Sequence, residues 1–376
     1  MTLELERSHP TTLPIDAAVE DADIYPGAGS QNRRGLGGGL IGPSRHVLEH
    51  HLAPLRGLME PADVTELVIN RPGEVAIERG GEWTWHEVPE FTFNWLMTLA
   101  RAAAAATKQD IRSDTPICST VLPSGERCQF LIPPATLEGT VSVTIRKPSS
   151  ITLTIDDMLE RGVFEQTEAS CQGASEVNVQ LLSLLRRKEW RAFLELAVVS
   201  RKNILISGAT GSGKTTIAKA LIQMIPANER LLTIEDTREL TLPQRNVVHM
   251  MYSKDGQGLA QIGPKQLLES ALRMRPDRIL LQELRDGTAF FYLRNVNSGH
   301  PGSITTVHAN SAAAAFEQLT LLVKESEAGR DLVREDIRGL LKTLIDVVIQ
   351  AEKVGGRWKV KEIYFEPDVR APDSGK

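Results

Sequence analysis

Cysteine is scarce in this 376-residue chain, and basic clusters and long apolar runs are missing from it. Cys118, Cys128 and Cys171 make an odd number without the paired spacing of a zinc site. Reduced thiols are therefore expected rather than a disulfide framework or a metal centre. No apolar stretch approaches the roughly 18–20 residues that a bilayer-crossing helix needs. The start of the sequence lacks a charged segment followed by an apolar core, so no signal peptide is expected. The expectation is a cytoplasmic chain whose membrane association is at most peripheral. Net charge is −5, and basic residues never run beyond two or three together. That leaves no electrostatic footprint for tight nucleic-acid binding, and sequence-specific nucleic-acid recognition is not expected. No repeat at a solenoid period is visible.

What is present is an ordinary globular composition, 41% apolar and 24% charged, over a length that suits two domains. Residues 1–44, with glycines at 35 and 37–39 and little apolar periodicity, read as a disordered tail. Residues 45–148 read as a small α+β domain. Alternating segments at 67–70, 74–78 and 83–88 are followed by a helix-period, Ala-rich stretch over 91–109 and strand-like pieces at 126–134 and 140–148. Residues 149–188 read as a long connector with room for one short helix. From 189 to 376 strands and helices alternate, which predicts a mostly parallel sheet covered on both faces and closed by a C-terminal hairpin around Gly355-Gly356.

The second domain carries Gly208, Ala209, Thr210, Gly211, Ser212, Gly213, Lys214 and Thr215, a complete phosphate-binding loop, with Thr216 next to it. Glycines let successive N–H groups turn toward one anion, and the following helix adds its positive end. Lys214 should reach the β- and γ-phosphates of ATP, and the Thr215 hydroxyl should ligate Mg²⁺. The motif lies between a buried-type strand and an amphipathic helix, as this mechanism requires. Phosphoryl transfer to water also needs acidic groups at the carboxyl ends of neighbouring strands. The segment 231–236 ends in Glu235-Asp236, and the segment 278–284 carries Glu283, with Arg285-Asp286 beyond. Gln282 stands where many such enzymes keep a metal-ligating Asp. Glu283 or the Glu235-Asp236 pair must then do the acidic work, holding Mg²⁺ or the attacking water.

Four segments in this order resemble the secretion ATPase superfamily. Residues 208–216 (GATGSGKTT), 233–240 (TIEDTREL), 273–290 (RMRPDRILLQELRDGTAF) and 298–312 (SGHPGSITTVHANSA) are similar to its Walker A, Asp box, atypical Walker B and His box. The last two together look most like the VirB11-type ATPases of type IV secretion systems. The resemblance implies a RecA-like P-loop NTPase domain after a smaller N-terminal domain, a homo-hexameric ring, and ATP bound between the two domains. It implies partners among the inner-membrane components of the secretion machine. It makes Glu235 and Glu283 the catalytic carboxylates, without saying which is the base, and brings His308 to the γ-phosphate region. By itself, a histidine at this place suits packing or capping as well as catalysis; His300 is a similar case. Arg127 and Arg146 lie in segments similar to those that supply phosphate-clamping arginines from the N-terminal domain, with Lys147 a lesser candidate. Three alternatives stand beside this reading. They are a pilus-retraction or type II motor, whose type II versions usually carry a four-cysteine zinc module; a RecA-like DNA motor, which predicts basic central loops; and a nucleotide-gated scaffold.

Overall fold

Residues 64–87 form three antiparallel strands, β1 (Val64–Ile69), β2 (Glu74–Arg79) and β3 (Glu82–Glu87), of which β1 and β2 are largely buried and β3 is mostly exposed. The computed structural model describes residues 43–148, 154–165, 175–253 and 260–367. A first helix, α1 (Pro43–Met59), precedes the strands, and α2 (Phe93–Ala106) follows them. Three further strands, β4 (Ile117–Val121), β5 (Arg127–Leu131) and β6 (Ser142–Arg146), complete a six-stranded sheet of order β3-β2-β1-β6-β5-β4. Leu52 and Leu55 of α1 and Leu96, Leu99 and Ala103 of α2 bury against Leu67, Ile69, Phe130 and Val143 of the sheet. This is the α+β lobe anticipated from the sequence, with α1 and β4 added. The tail expected over 1–44 lies outside the described residues, apart from the start of α1 at Pro43; Cys171 also lies outside them.

The anticipated connector contains two helices, α3 (Ile155–Glu160) and α4 (Glu176–Arg186). Leu181 and Leu184 of α4 join one buried cluster with Ile204 and Ile206. The second lobe therefore begins by residue 176, earlier than the boundary of 189 read from the sequence. Only Leu181 and Leu184 anchor α4 fully, which accounts for the weak periodicity of 176–186.

That second lobe runs α5 (Trp190–Val199), β7 (Ile204–Ser207), α6 (Lys214–Ile222), β8 (Leu231–Glu235), β9 (Val247–Met251), α7 (Pro264–Ala271) and β10 (Arg278–Leu281). It ends with α8 (Thr288–Asn297), β11 (Ile304–Val307), α9 (Ala312–Glu325), α10 (Arg334–Leu344), β12 (Val347–Val354) and β13 (Arg357–Phe365). β10-β8-β9 form one parallel group and β11-β7-β12 another, with β13 antiparallel on β12. β10 and β11 run side by side, joined by the Leu284 N–H to Thr306 O at 2.9 Å and by the Ser303 hydroxyl to Ile279 O at 2.9 Å. Across the lobe the order is therefore β9-β8-β10-β11-β7-β12-β13. No helix among the described residues is long and apolar enough to cross a membrane.

The first lobe packs on the β9 edge of the second. The Met251 N–H donates to Ala135 O at 3.0 Å, and the Thr136 hydroxyl to His249 O at 3.2 Å. Buried Arg230, just before β8, donates to Asn70 Oδ1 (2.8 Å), Asn246 Oδ1 (2.5 Å) and Met274 O (2.9 Å). Burial pushes its pKa down to about 9, and the Glu66 charge opposes that fall most. Arg275 pairs with Glu78 and, at 2.8 Å, with Asp277.

Candidate functional site

β7 is buried along its whole length, so its carboxyl end delivers Gly208 to a fixed place. A Cβ on Gly208 would sit 2.4 Å from Ser212 Oγ and 2.6 Å from Ala351 O, so only glycine fits at the first corner. Gly211 and Gly213 have φ of 75° and 91°, a region that side-chain-bearing residues rarely adopt. Helix α6 starts immediately after, and its first N–H groups have no partner within the helix. Ser212 is buried and its Oγ has no hydrogen-bond partner. An orphaned hydroxyl, free helix N–H groups and an ammonium gathered on one loop suit an oxyanion. Lys214 is buried, and its Nζ donates to Gly208 O (2.9 Å) and Ala209 O (3.1 Å) and approaches His308 Nδ1 at 3.2 Å. Burial lowers its pKa, and the nearby Glu283 charge opposes that fall.

From Lys214 a line of polar contacts crosses the carboxyl edge of the sheet. His308, just past β11, places Nε2 2.7 Å from Glu283 Oε1. A lysine ammonium can only donate, so Nδ1 of His308 accepts and the ring proton sits on Nε2, donated to Glu283. Arg285 Nε donates to Glu283 Oε2 at 2.8 Å, and its Nη1 to Asp236 Oδ2 at 2.7 Å. Lys214, His308, Glu283, Arg285 and Asp236 thus form one continuous chain drawn from the start of α6 and the segments just past β11, β10 and β8. Tyr252, beyond β9, borders it, and burial together with the Asp236 charge pushes its hydroxyl up to about 12.

Glu235 is placed differently from its neighbour Asp236. It is fully buried, and Oε1 accepts from the Glu239 and Leu240 N–H groups at 2.9 and 2.8 Å. Oε2 accepts from the Thr233 hydroxyl at 2.9 Å and lies 3.3 Å from His249 Nδ1. Burial alone would raise its pKa, but His249, the two amides and Thr233 together outweigh burial and lower it. The carboxylate braces the turn after β8, and both its oxygens are engaged there.

The basic residues of the first lobe lie elsewhere. Arg127 and Arg146 are paired across β5 and β6 and line a cavity of about 840 Å³ with Glu66, Glu78 and Arg275. Arg275 precedes β10, so this cavity opens at the amino edge of the sheet, whereas the phosphate loop is at the carboxyl edge. Laterally, β9 and β7 are four strand spacings apart, about 19 Å at ~4.8 Å each. Within one chain, then, the junction of the lobes is remote from the phosphate loop, and Arg127 and Arg146 do not meet Lys214 or Glu283. Lys147 spends its ammonium on the carbonyls of Met59 and Pro61, at 2.8 and 2.9 Å, closing the end of α1. His300 lies among Pro276, Asp277 and Arg275 at the amino edge, where burial lowers its pKa.

Comparison with known proteins adds to this geometry. The family described as type II/IV secretion system protein matches residues 51–354. Type IV secretion system protein VirB11 of Bartonella henselae is 53% identical over 327 residues, spanning 84% of this chain and 92% of that protein. VirB11 of Brucella suis biovar 1 is 40% identical over 326 residues, with 85% and 90% covered. The crystal structure of the VirB11 ATPase from the Brucella suis type IV secretion system, in complex with sulphate, matches with a TM-score of 0.81 at 40% identity. That match covers 86% of this chain and 98% of that one.

The chain belongs to the VirB11 family. The RecA-like lobe behind a smaller α+β lobe agrees with the resemblance. The sequence reading weighs Asp236 only as an acidic partner of Glu235 and gives Arg285 no role. Arg285 and Asp236 stand in the right motifs, but nothing in a linear sequence says that a guanidinium after β10 bridges to a carboxylate after β8. The only available signal was the adjacency of the two strand ends that a parallel sheet implies.

Proposed function

We propose that this VirB11 chain binds ATP with Mg²⁺ at residues 208–216 and hydrolyses it with Glu283 as the base. The observation that carries this reading is the contact chain from Lys214 through His308 to Glu283. Glu283 has four acceptor sites on its carboxylate, and His308 and Arg285 use one on each oxygen. It can still accept a proton from a water whose oxygen attacks the γ-phosphorus as the bond to ADP breaks. Lys214 is held by two carbonyls that phosphate oxygens can replace. Mg²⁺, when bound, neutralises phosphate charge, and Thr215 and Glu283 are the side chains that would hold it. Glu235 supports Asp236 and the turn behind it, a positioning part rather than that of base.

A copy of the chain cannot bring its own Arg127 or Arg146 to its own phosphate loop. In our reading these arginines clamp the γ-phosphate of a neighbouring copy in a closed ring of six. Hydrolysis in that ring powers transport through a type IV secretion machine, with the chain on the cytoplasmic face of the inner membrane. Mixing tests the shared site. Arg146→Ala subunits and Glu283→Gln subunits, each inactive alone, should regain part of the ATP turnover when co-assembled, because some sites then combine an intact glutamate with an intact arginine. Co-assembled rings that stay inactive would sink the shared-site reading.

A further inference from the structure

One aromatic ring beside the phosphate loop has no evident part in the core. Trp358 lies near the start of β13, opposite Lys353 of β12, in a hairpin turned by Gly355 and Gly356 with φ of 58° and 79°. β12 is the immediate neighbour of β7, and its carboxyl end leads into this hairpin. The hairpin therefore rises next to residues 208–213, on the side away from β11 and His308. A Cβ on Gly213 would meet Cγ, Cδ2 and Cδ1 of Trp358 at 3.2, 3.3 and 3.5 Å. The indole thus lies against the backbone just before Lys214. Yet Trp358 is 58% exposed, and it belongs to none of the three buried clusters.

An indole that rests on the loop with most of its surface open leaves that surface free to meet a ligand. The loop holds phosphates, and the nucleoside they carry must leave it on a side not occupied by the catalytic groups. His308, Glu283 and Arg285 take the β11 side, and the β12–β13 hairpin forms the other. We propose that Trp358 is the platform on which the base of the bound nucleoside triphosphate stacks. This rests on the reading of residues 208–216 as a nucleotide site. Stacking uses the π-face that every base possesses. The site should therefore accept adenine and guanine nucleotides and bind uridine and cytidine nucleotides, with their smaller rings, less well. Gly213 is part of the device, since a side chain there would strain the backbone at φ 91° and push against the ring.

The test is equilibrium binding of ADP and of inorganic tripolyphosphate to wild type, Trp358→Ala and Trp358→Phe. The expected result is a loss of about 5- to 150-fold in ADP affinity for Trp358→Ala, from a stacking contribution of ~1–3 kcal/mol. Trp358→Phe should keep most of the affinity, and tripolyphosphate should bind all three within about twofold. Equal loss for both ligands would overturn the proposal, because Trp358 would then be shaping the loop through Gly213. Unchanged ADP affinity in Trp358→Ala would overturn it too. Wild type that binds neither ligand would instead defeat the nucleotide site itself. Should Trp358→Ala fail to fold, fluorescence of the wild type, with Trp358→Phe as the blank, serves. Quenching by ADP and not by tripolyphosphate supports stacking, and identical responses to the two ligands contradict it.

Discussion

Replacing Glu66 by Gln should make the protein more stable at pH 8 and leave it nearly unchanged at pH 4.5. Glu66 is buried on β1, and its Oε2 has no hydrogen-bond partner. Arg146, 3.4 Å from Oε1, is 68% exposed, so water screens much of its attraction. Burial raises the Glu66 pKa from 4.5 to about 7; Arg146, Arg275 and Arg230 oppose the rise and Glu78 adds to it. At ~1.36 kcal/mol for each pKa unit, that displacement corresponds to about 3 kcal/mol. The sign follows from which state binds the proton. Below pH 4.5 both folded and unfolded chains hold it, and the folded state carries no penalty. Between 4.5 and 7 the unfolded chain ionises first, so stability falls as pH rises, and above 7 the loss is complete. Glutamine does not ionise, so the Glu66→Gln protein should lack this slope while losing only a mostly exposed ion pair, worth ~1 kcal/mol or less. Urea midpoints at pH 4.5 and 8, at fixed protein concentration because of possible assembly, give the comparison. A variant less stable than wild type at pH 8, or a difference independent of pH, would refute the argument.

Arg278→Met should cost about 3–5 kcal/mol, because it leaves Glu229 buried without the two bonds of 2.6 and 2.9 Å that it now accepts. Adding Glu229→Met should recover much of that loss, and failure to recover would mean that Arg278 matters through packing. Glu235→Gln should weaken the fold by ~1–3 kcal/mol, since its amide group cannot accept all the bonds now made to Oε1 and Oε2. The lowered pKa of Glu235 makes its contribution complete above the unfolded-state pKa and lost as pH falls through the folded one. An acid-side stability slope that the variant retains in full would contradict this. Gly208→Ala should abolish nucleotide binding while the rest of the sheet persists, seen as unaltered far-ultraviolet circular dichroism with no ADP response; intact affinity would show that the loop has another shape.

The parts of the site carried by contiguous backbone were legible in the sequence. The phosphate loop needs its glycines next to one another and its lysine at the helix start, so eight letters describe a shape. Glu283 was singled out by its place at the end of a parallel strand and His308 by the family resemblance, and the structure brings the two into contact. What was hidden depended on parity and pairing. β8 is buried throughout, so no alternation distinguishes the direction of Glu235 from that of Asp236. The arginines of β5 and β6 gave no sign that their lobe would dock on the β9 edge. Lys147 could be understood only once α1 existed to be closed by it. That helix contains Pro54, which argues against a helix in any local reading, yet burial of Leu48, Leu52 and Leu55 holds it.

The most direct test of the central claim is steady-state ATP hydrolysis by wild type and Glu283→Gln, with ADP affinity measured on both. The account predicts turnover in the wild type and a fall of roughly 10²–10⁴-fold in the variant at nearly unchanged affinity. Turnover that survives in Glu283→Gln and disappears in a folded Glu235→Gln would contradict it and move the base to the other carboxylate.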